Sequence, residues 1–437
     1  MVRLTMPAEA ARAFAARDHP DRFSLSEEMH IRKLPALGGP ASLTQIVSLI
    51  GEDEIGQSRA HVERLCAPSG IAVPTTRKYF ICALGDLQFV WERHTEVATY
   101  TFIRSTEAEP RFDADPFEGL PRDWIEALPG QVIRATRIAL VDGEAPSDWT
   151  DRLDSWFSPS DLVVCDVAGG RARIWADFRL HGDGFGRLLI LDRDLLGYEP
   201  SQLVQRLQEL GNYRKLALLG LPVAQRLTPR VSDLEKRLAE ITAAIAERTS
   251  QDDRLLDDLS ALAAELARVT ADTRYRMSAT HAYAQLCADR LDSLEIAKVK
   301  GHPTLADFTE RRLLPAVRTC ESFSQRLEDL SQRTAWTSSL LRTRVDTALA
   351  RQNRDLLHSM DKRTQVQLRL QQTVEGLSIV AISYYAVGLL GYLLKGIHHR
   401  WPVEPEVATA LAVPAILLLV AIILRRLRRH TGGDRNV

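Results

Sequence analysis

The stretch GLSIVAISYYAVGLLGYLL, residues 376–394, runs nineteen residues without a charged side chain. The stretch VATALAVPAILLLVAIIL, residues 407–424, adds eighteen more. A helix rises about 1.5 Å per residue, so roughly 20 apolar residues cross a hydrocarbon layer of about 30 Å. Lipid offers the backbone no hydrogen-bond partner, which leaves helix as the expected form. The sequence therefore predicts a membrane anchor of two helices, residues 376–397 and 407–424.

The connection between the spans is short, so the pair is expected to turn as a hairpin. Residues 398–406 would form a short external loop and leave both flanks on one side of the membrane. Lys and Arg near span ends are retained on the cytoplasmic side. The tail, residues 425–437, opens with RRLRRH, and Lys362 and Arg363 precede the first span. Both termini are therefore predicted to be cytoplasmic.

The N-terminal part shows no signal for export. Residues 1–20 lack an apolar core of the length that a secretory signal needs, and we expect residues 1–22 to be flexible. The five cysteines include no Cys-x-x-Cys pair, and their odd number suits a reducing compartment better than a disulfide framework. These features favour a cytoplasmic location for the large N-terminal part.

Charge is nearly balanced, with 56 Lys and Arg against 57 Asp and Glu in 437 residues. A nucleic-acid-binding protein normally carries a basic excess or a basic stripe. Neither is visible outside the membrane flanks, so nucleic acid is not an expected partner. A hydrophobic content of 45% is typical of a folded protein with a buried core.

Residues 23–227 combine expected strands with a few expected helices, as an α+β domain does. The expected strands occupy residues 78–83, 87–91, 97–103, 162–167, 173–178 and 188–191. Residues 97–103 alternate as a half-buried strand does. Helices are expected at residues 41–50 and 201–210, the second with Ser201 as a possible N-cap. Because strands follow strands with few helices between them, an α+β domain is favoured over a doubly wound parallel sheet.

Residues 228–375 are predicted to form a helical region with coiled-coil character. Apolar residues recur every three or four positions, which keeps one seam of a helix facing a partner. The seam comprises Val231, Leu234, Leu238, Ile241, Ile245, Leu255, Leu259, Leu262, Leu266 and Val269. Between its two halves, the polar stretch 247–253 is either a polar layer or a turn. The apolar spacing is lost from Thr273 onward, which argues against one long coiled coil that stands alone.

A long helix is expected to link this region to the first span. Thr304 follows Gly301-His302-Pro303 and can cap a new helix, which Pro315 is expected to kink or restart. Residues 316–370 contain neither Gly nor Pro and would measure roughly 83 Å as one helix. Since residues 342–369 are largely polar, they need water or neighbours on several sides. We interpret this segment as a stalk through which the chain forms a homo-oligomer.

Several runs resemble one bacterial protein family. They are FVWERHTE at residues 89–96 followed by TYTF at 99–102, NYRKLALLGLPVA at 212–224, and residues 376–395. That family comprises uncharacterised membrane-anchored proteins common in proteobacteria. The resemblance implies a multi-pass protein of the bacterial inner membrane and assigns no activity.

The order of elements also resembles the CorA-type magnesium channels, which combine a cytoplasmic α/β region, long helices and two spans with a short loop. This resemblance implies an ion channel or transporter as an alternative function. Those channels carry Gly-Met-Asn at the end of the first span, where it forms the ion filter. The matching place here reads GYLLKG, residues 391–396, without Met or Asn. The alternative is therefore a conduit with an altered filter.

One candidate functional face follows the strand expected at residues 87–91. Glu92, His94 and Glu96 alternate, so in a regular strand they would point to one face, with Arg93 on the other. Two carboxylates and an imidazole could hold a metal ion or act as acid and base. The simpler interpretation, which we favour, is a solvated face or a structural ion-pair patch in which Arg93 binds another element.

A second candidate group lies in the first span, where Ser383, Tyr384 and Tyr385 precede Gly388 and Gly391. Two glycines three residues apart can share a face that lets helices approach closely. Packing between the two spans accounts for this group without a pore.

Other motifs are weak. The loop HGDGFG at residues 181–186 is rich enough in glycine to cradle a phosphate, but no Lys-Ser/Thr or helix start follows, so a connecting turn is favoured. Hydrolase, metalloprotease and P-loop motifs are absent from the sequence. The sequence favours a non-enzymatic membrane protein with a cytoplasmic interaction or scaffold domain and no cofactor. Its expected partners are the lipid bilayer, further copies of itself, and a protein that the sequence does not identify.

Overall fold

The computed structural model describes residues 17–28, 34–51, 54–75, 78–106, 110–144, 149–247, 252–397 and 405–431. Most of the N-terminus predicted to be flexible, residues 1–16, lies outside the described residues. The chain divides into two compact units, Met1–Trp336 and Thr337–Val437. This boundary falls inside residues 228–375, so the first part of the predicted helical region belongs to the same unit as the sheet.

One sheet organises the described part of the first unit. Its strands are β1 (Ala41–Leu49), β2 (Tyr79–Leu84), β3 (Leu87–Arg93), β4 (Val97–Ser105), β5 (Gln131–Asp142), β6 (Val163–Val167), β7 (Ala172–Ala176), β8 (Gly186–Asp192) and β9 (Ala297–Lys298). Their order is β2-β3-β4-β1-β5-β8-β7-β6-β9. The β5–β8 pair is parallel, and the other described pairs are antiparallel. A mainly antiparallel sheet is not doubly wound, which agrees with the predicted α+β class.

Helices pack on both faces of this sheet. The described α-helices are α1 (Arg22–Glu28), α2 (Ile55–Cys66), α3 (Arg122–Glu126), α4 (Trp149–Trp156), α5 (Glu199–Leu218), α6 (Gly220–Ala246), α7 (Asp252–Asp292), α8 (Leu305–Ile397) and α9 (Pro405–Thr431). Leu203 of α5 and Cys287 of α7 belong to the core on one face. Val62 of α2 and Trp124 of α3 belong to the core on the other. Central strands are therefore buried on both sides.

The strands predicted at residues 78–91 and 162–178 are confirmed as two antiparallel hairpins. β2 meets β3 across Gly85, whose φ of 67° favours a residue without a side chain. β6 meets β7 across Gly169 and Gly170, which also have positive φ. The strand predicted at residues 188–191 is confirmed as part of β8.

The helix predicted at residues 41–50 is wrong. These residues form β1, a central strand that pairs with β4 and β5. Leu43, Ile46 and Val47 have the spacing of a helix face, and all three are buried. The spacing is misleading because a strand covered on both faces has no need to alternate. For the same reason β4 is buried along most of its length rather than half-buried.

The helix predicted at residues 201–210 is confirmed within α5, but Ser201 is not its N-cap. The helix begins at Glu199, so Ser201 lies in the first turn. Its hydroxyl donates to the Pro35 carbonyl oxygen at 2.8 Å and accepts from the Leu37 N–H at 2.9 Å. Ser201 therefore fixes the segment that leads into β1.

The predicted apolar seam packs within the chain. Helix α6 ends at Ala246, and α7 is described from Asp252. Residues 248–251, the middle of the polar stretch, lie outside the described residues. Seam residues from both helices are buried, among them Leu234, Leu238, Leu259 and Leu262. Glu265 of α7 accepts hydrogen bonds from Arg230 and Arg237 of α6 at 2.9 and 2.8 Å. A coiled coil between chains stays a prediction.

Helix α8 begins where the sequence predicts. Thr304 and Asp307 form a capping box, in which each side chain accepts the other residue's backbone N–H, at 2.9 and 3.0 Å. The sequence predicts that Pro315 kinks or restarts the helix. The helix passes through Pro315 without a new start, so the restart is wrong, and the kink stays a prediction. One proline removes a single backbone donor, and the surrounding hydrogen bonds keep the helix intact.

The second unit contains the end of α8 and all of α9. Residues 346–370 of α8 are exposed at every position. Farther along α8, a face that includes Ser383, Gly391 and their neighbours is partly covered, and α9 shows a matching periodic pattern. Each helix contains a segment long and apolar enough to cross a membrane. The predicted external loop lies mainly at residues 398–404, outside the described residues.

Candidate functional site

The candidate face beyond β3 is built by a turn rather than by a continuous strand. β3 ends at Arg93, and β4 begins at Val97. The His94 N–H donates to the Val97 carbonyl oxygen at 2.8 Å, which closes this connection. Glu92, His94 and Glu96 therefore do not share one strand face. Glu92 and His94 lie in one environment, and Glu96 lies in another.

Glu92 and His94 meet beside a small cavity. Oε1 of Glu92 lies 3.4 Å from Nε2 of His94. Both residues line a cavity of about 60 Å³ between the sheet and helices α5 and α7, together with Tyr79, Tyr213 and Tyr283. Burial, followed by the charge of Glu92, raises the pKa of Tyr79 to about 12, so this phenol is protonated at neutral pH.

The size of this cavity limits its chemistry. One water molecule needs roughly 10–15 Å³ of such volume, so the space admits a few waters and no organic substrate. In the part of the chain that the structure describes, no group of three or more His, Cys, Asp or Glu is placed to hold a metal ion. Hydrogen bonding within this small space is the interaction that the Glu92 and His94 side chains offer.

Glu96 faces helix α7 instead. Its two carboxylate oxygens accept hydrogen bonds from Arg276, at 3.2 Å from Nη1 and 2.5 Å from Nη2. Burial, and next the charge of Glu96, raises the pKa of Tyr283, which also hydrogen-bonds to this carboxylate. Arg93, in contrast, is half-buried, and its backbone N–H donates to the Lys78 carbonyl oxygen. An ion pair therefore joins the turn between β3 and β4 to helix α7, and it is formed by Glu96 rather than by Arg93.

The candidate residues of the predicted first span occupy different surroundings. Ser383 is buried, and its hydroxyl has no hydrogen-bond partner among the described residues. The Tyr384 and Tyr385 rings are exposed, with centroids 5.9 Å apart. A Cβ built on Gly391 would lie 3.9 Å from the Thr409 side chain of α9, whereas one built on Gly388 would meet nothing within 4 Å. Of the two glycines, Gly391 is the one at the helix contact.

A second cavity of the first unit, of about 170 Å³, is strongly basic. Its walls come from β5, β7, β8, α5 and the first residue of α8. The described lining contains no acidic residue and five cations: Arg134, Arg179, Arg187, Arg214 and Lys215. Most of the remaining lining is apolar. We name this space the basic cavity.

Arg134 is fixed at the wall of the basic cavity. Its Nη1 donates to Oε1 of Gln45 at 2.7 Å and to Oδ1 of Asn212 at 2.8 Å. Gly211 lies against the guanidinium, and a Cβ built there would be 2.6 Å from Nη2. Burial, and next the charge of Arg214, lowers the pKa of Arg134 to about 9.

Arg214 is fixed by aromatic rings. Its guanidinium carbon lies 4.1 Å from the centroid of Phe178, which stacks on Phe308 at 4.3 Å. Phe178 has a φ of 56°, an uncommon conformation for a bulky residue. Burial lowers the pKa of Arg214 to about 10. Burial, and next the charges of Arg214 and Arg134, lowers the pKa of the neighbouring Lys215.

Two weak sequence signals lie at the basic cavity. Gly184 and Gly186 of the glycine-rich loop line it, although no nucleotide-binding motif follows them. Arg214 and Lys215 are adjacent cations in a run quoted above for its family resemblance. Arg134 comes from β5, a strand that the sequence pattern does not reveal.

The fold and its apolar helices define a class: α+β proteins that end in two helices long enough to cross a membrane. Residues 17–431 match the family described as Protein of unknown function (DUF3422), and the chain belongs to that family. No curated protein and no solved structure matches the chain.

Proposed function

We propose that this protein is anchored in the inner (cytoplasmic) membrane of a bacterium by its C-terminal hairpin and presents a non-enzymatic interaction or scaffold domain to the cytoplasm. The supporting observation is the apolar surface of α9 and of the end of α8. Large exposed apolar side chains there include Leu377, Val380, Leu389, Leu393, Val407, Leu411, Leu418 and Ile423.

Exposure of these apolar side chains to water is unfavourable, so we expect lipid or protein to cover them. Removing a large aliphatic side chain from water is worth about 1.5–3 kcal/mol. Leu389 and Leu418 are each 66% exposed and lie well inside the two apolar stretches. Soluble monomers rarely expose contiguous apolar patches of this extent. Lipid covers such helices on every side, and the two-helix arrangement satisfies their backbone groups internally.

The stalk supports the oligomeric part of the proposal. Residues 346–370 are exposed at every position, and the exposed side chains include Leu349, Leu356, Leu357 and Val366. A second copy of the chain would cover these side chains along the same length of helix. Self-association through the stalk is therefore our proposed mode of assembly.

The alternative is an ion conduit with an altered filter. Ser383 favours it, since a buried hydroxyl without a partner in the described residues could face a polar path. The spans contain no Asn and no acidic residue, however, and an ion in lipid needs charges or oriented dipoles around it. The scaffold function is the one that we propose.

Membrane extraction tests the anchor. We expect the full chain to stay in the membrane pellet after alkaline carbonate treatment. The double variant Leu389→Arg/Leu418→Arg should move largely to the soluble or aggregated fraction, because one Arg at a helix centre costs about 2.5–3.5 kcal/mol on insertion. Leu357→Arg is the matched control, since Leu357 is 66% exposed but lies in the stalk. Release of the parent chain by carbonate would contradict the proposal.

A further inference from the structure

We propose that the basic cavity binds a small organic anion, with one carboxylate or phosphate group on an apolar body about the size of a benzene ring. This inference concerns the first unit and is independent of the membrane anchor. It assigns a ligand-binding site to the α+β domain.

The distribution of charge is the first argument. Among the cations that line the cavity, Arg179 pairs with Asp161, and Arg187 lies 3.8 Å from Asp183. No carboxylate pairs with Arg134, Arg214 or Lys215 in the part of the chain that the structure describes. Cations withdrawn from water are normally paired with an acid. The half-buried guanidinium groups of Arg134 and Arg214, with the exposed Lys215 beside them, therefore leave a site for an anion from outside the chain.

The fixed geometry of the donors is the second argument. Arg134 is held by two side-chain oxygens and by the close approach of Gly211, and Arg214 is held against Phe178. Nη1 of Arg214 is buried and, among the described residues, has no hydrogen-bond acceptor. Guanidinium groups held in advance lose little freedom when they bind a carboxylate or phosphate.

The apolar walls and the volume define the rest of the ligand. Lining residues outside the cation group include Ile174, Leu188, Leu207, Leu210 and Leu305. A cavity of about 150 Å³ lined by such side chains binds benzene, and the basic cavity is of similar size at about 170 Å³. A nucleotide does not fit in this volume, whereas an aryl or short alkyl carboxylate does.

Calorimetric titration of the full chain in detergent tests the proposal. The probes are benzoate, phenyl phosphate, inorganic phosphate and the neutral benzyl alcohol. We expect benzoate or phenyl phosphate to bind with a stoichiometry of one, at millimolar concentration or below, and more weakly as salt is added. Whichever of the two binds more tightly identifies the anionic group. Benzyl alcohol and inorganic phosphate should each bind at least about tenfold more weakly, because each lacks one half of the ligand.

Variants locate the site. Arg214→Met should weaken binding of the preferred probe by about tenfold or more, and Gly211→Ala should do so because its methyl group displaces the Arg134 guanidinium. Lys215→Met is the fallback if either variant fails to fold, since Lys215 is exposed on α5. The control is Arg122→Gln, which removes an exposed cation that pairs with Asp115 outside the lining of the basic cavity and should change binding less than about threefold.

Two outcomes would overturn the proposal. The first is an absence of saturable binding for both benzoate and phenyl phosphate. The second is binding that Arg214→Met, Gly211→Ala and Lys215→Met all leave unchanged. Equal affinity for inorganic phosphate and phenyl phosphate would overturn the apolar part of the ligand assignment.

Discussion

Replacing Glu96 by alanine is expected to lower the free energy of unfolding of the first unit by about 3 kcal/mol, because it leaves the half-buried Arg276 without its partner. Glu96 is 8% exposed, and the Arg276 side chain is 22% exposed. Two hydrogen bonds join the pair, so both charges and their geometry contribute. Glu96→Gln keeps an acceptor for Arg276 and should cost less.

Urea unfolding followed by tryptophan fluorescence measures this effect. Glu63→Gln is the control, because Glu63 pairs with Arg59 at 2.9 Å on the surface of α2, and its loss should cost less than about 1 kcal/mol. Equal, small effects of Glu96→Ala and Glu63→Gln would show that the Glu96–Arg276 pair does not stabilise the fold.

The second large effect depends on pH and concerns His61. This residue is fully buried, its ring stacks on Trp124 at 4.2 Å, and Nη2 of Arg64 lies 2.9 Å from its Nδ1. Burial, and next the charge of Arg64, lowers the pKa of His61 from 6.5 to about 4. The folded state therefore binds fewer protons than the unfolded state between these values. The stabilisation of the folded state by neutral His61 is complete above pH 6.5. It is lost as the pH falls toward 4, which lowers the free energy of unfolding by about 3 kcal/mol in total.

The measurement is the free energy of unfolding at several pH values, for the parent chain and for His61→Phe. Phenylalanine keeps an aromatic ring beside Trp124 but has no titratable group. The difference between the two proteins isolates the histidine from other titrating groups, including Asp142 and Asp192, whose pKa values burial raises. The parent should lose more stability than the variant as the pH falls from 6.5 to 4, and parallel curves would contradict the prediction.

Local patterns were enough to predict the hairpins. Leu84-Gly85-Asp86 separates β2 from β3, and Ala168-Gly169-Gly170 separates β6 from β7. Glycine at a turn and β-rich residues on either side are signals that lie within a few positions of each other. The start of α8 is similar, because Thr304 and Asp307 are only three residues apart.

The central strands could not be predicted in this way. β1 was predicted to be a helix, and β5 carries no clear alternation, since both are covered on two faces for much of their length. Their strand character comes from neighbours far along the chain, as in the pairing of Leu43 with Ile138. A single sequence contains no record of that pairing.

The sites depend on distant residues even more strongly. Glu96 and Arg276 are 180 positions apart, so the sequence shows two ordinary charges and no ion pair. The basic cavity joins Arg134 to Arg214 across the sheet and α5, and Gly211 matters only because a guanidinium lies against it. Hydrophobicity predicts the apolar helices, whereas site chemistry requires the tertiary structure.

The membrane hairpin is the central claim, and cysteine accessibility tests it most directly. The three variants are Gln367→Cys before the first span, His399→Cys in the connecting loop and Gly433→Cys in the tail, each compared with the parent chain to correct for its five cysteines. With a membrane-impermeant maleimide, position 399 should react in intact cells, whereas positions 367 and 433 should react only after permeabilisation. Labelling of 367 and 433 from opposite sides would contradict the hairpin, and labelling of both from outside with 399 protected would contradict its orientation.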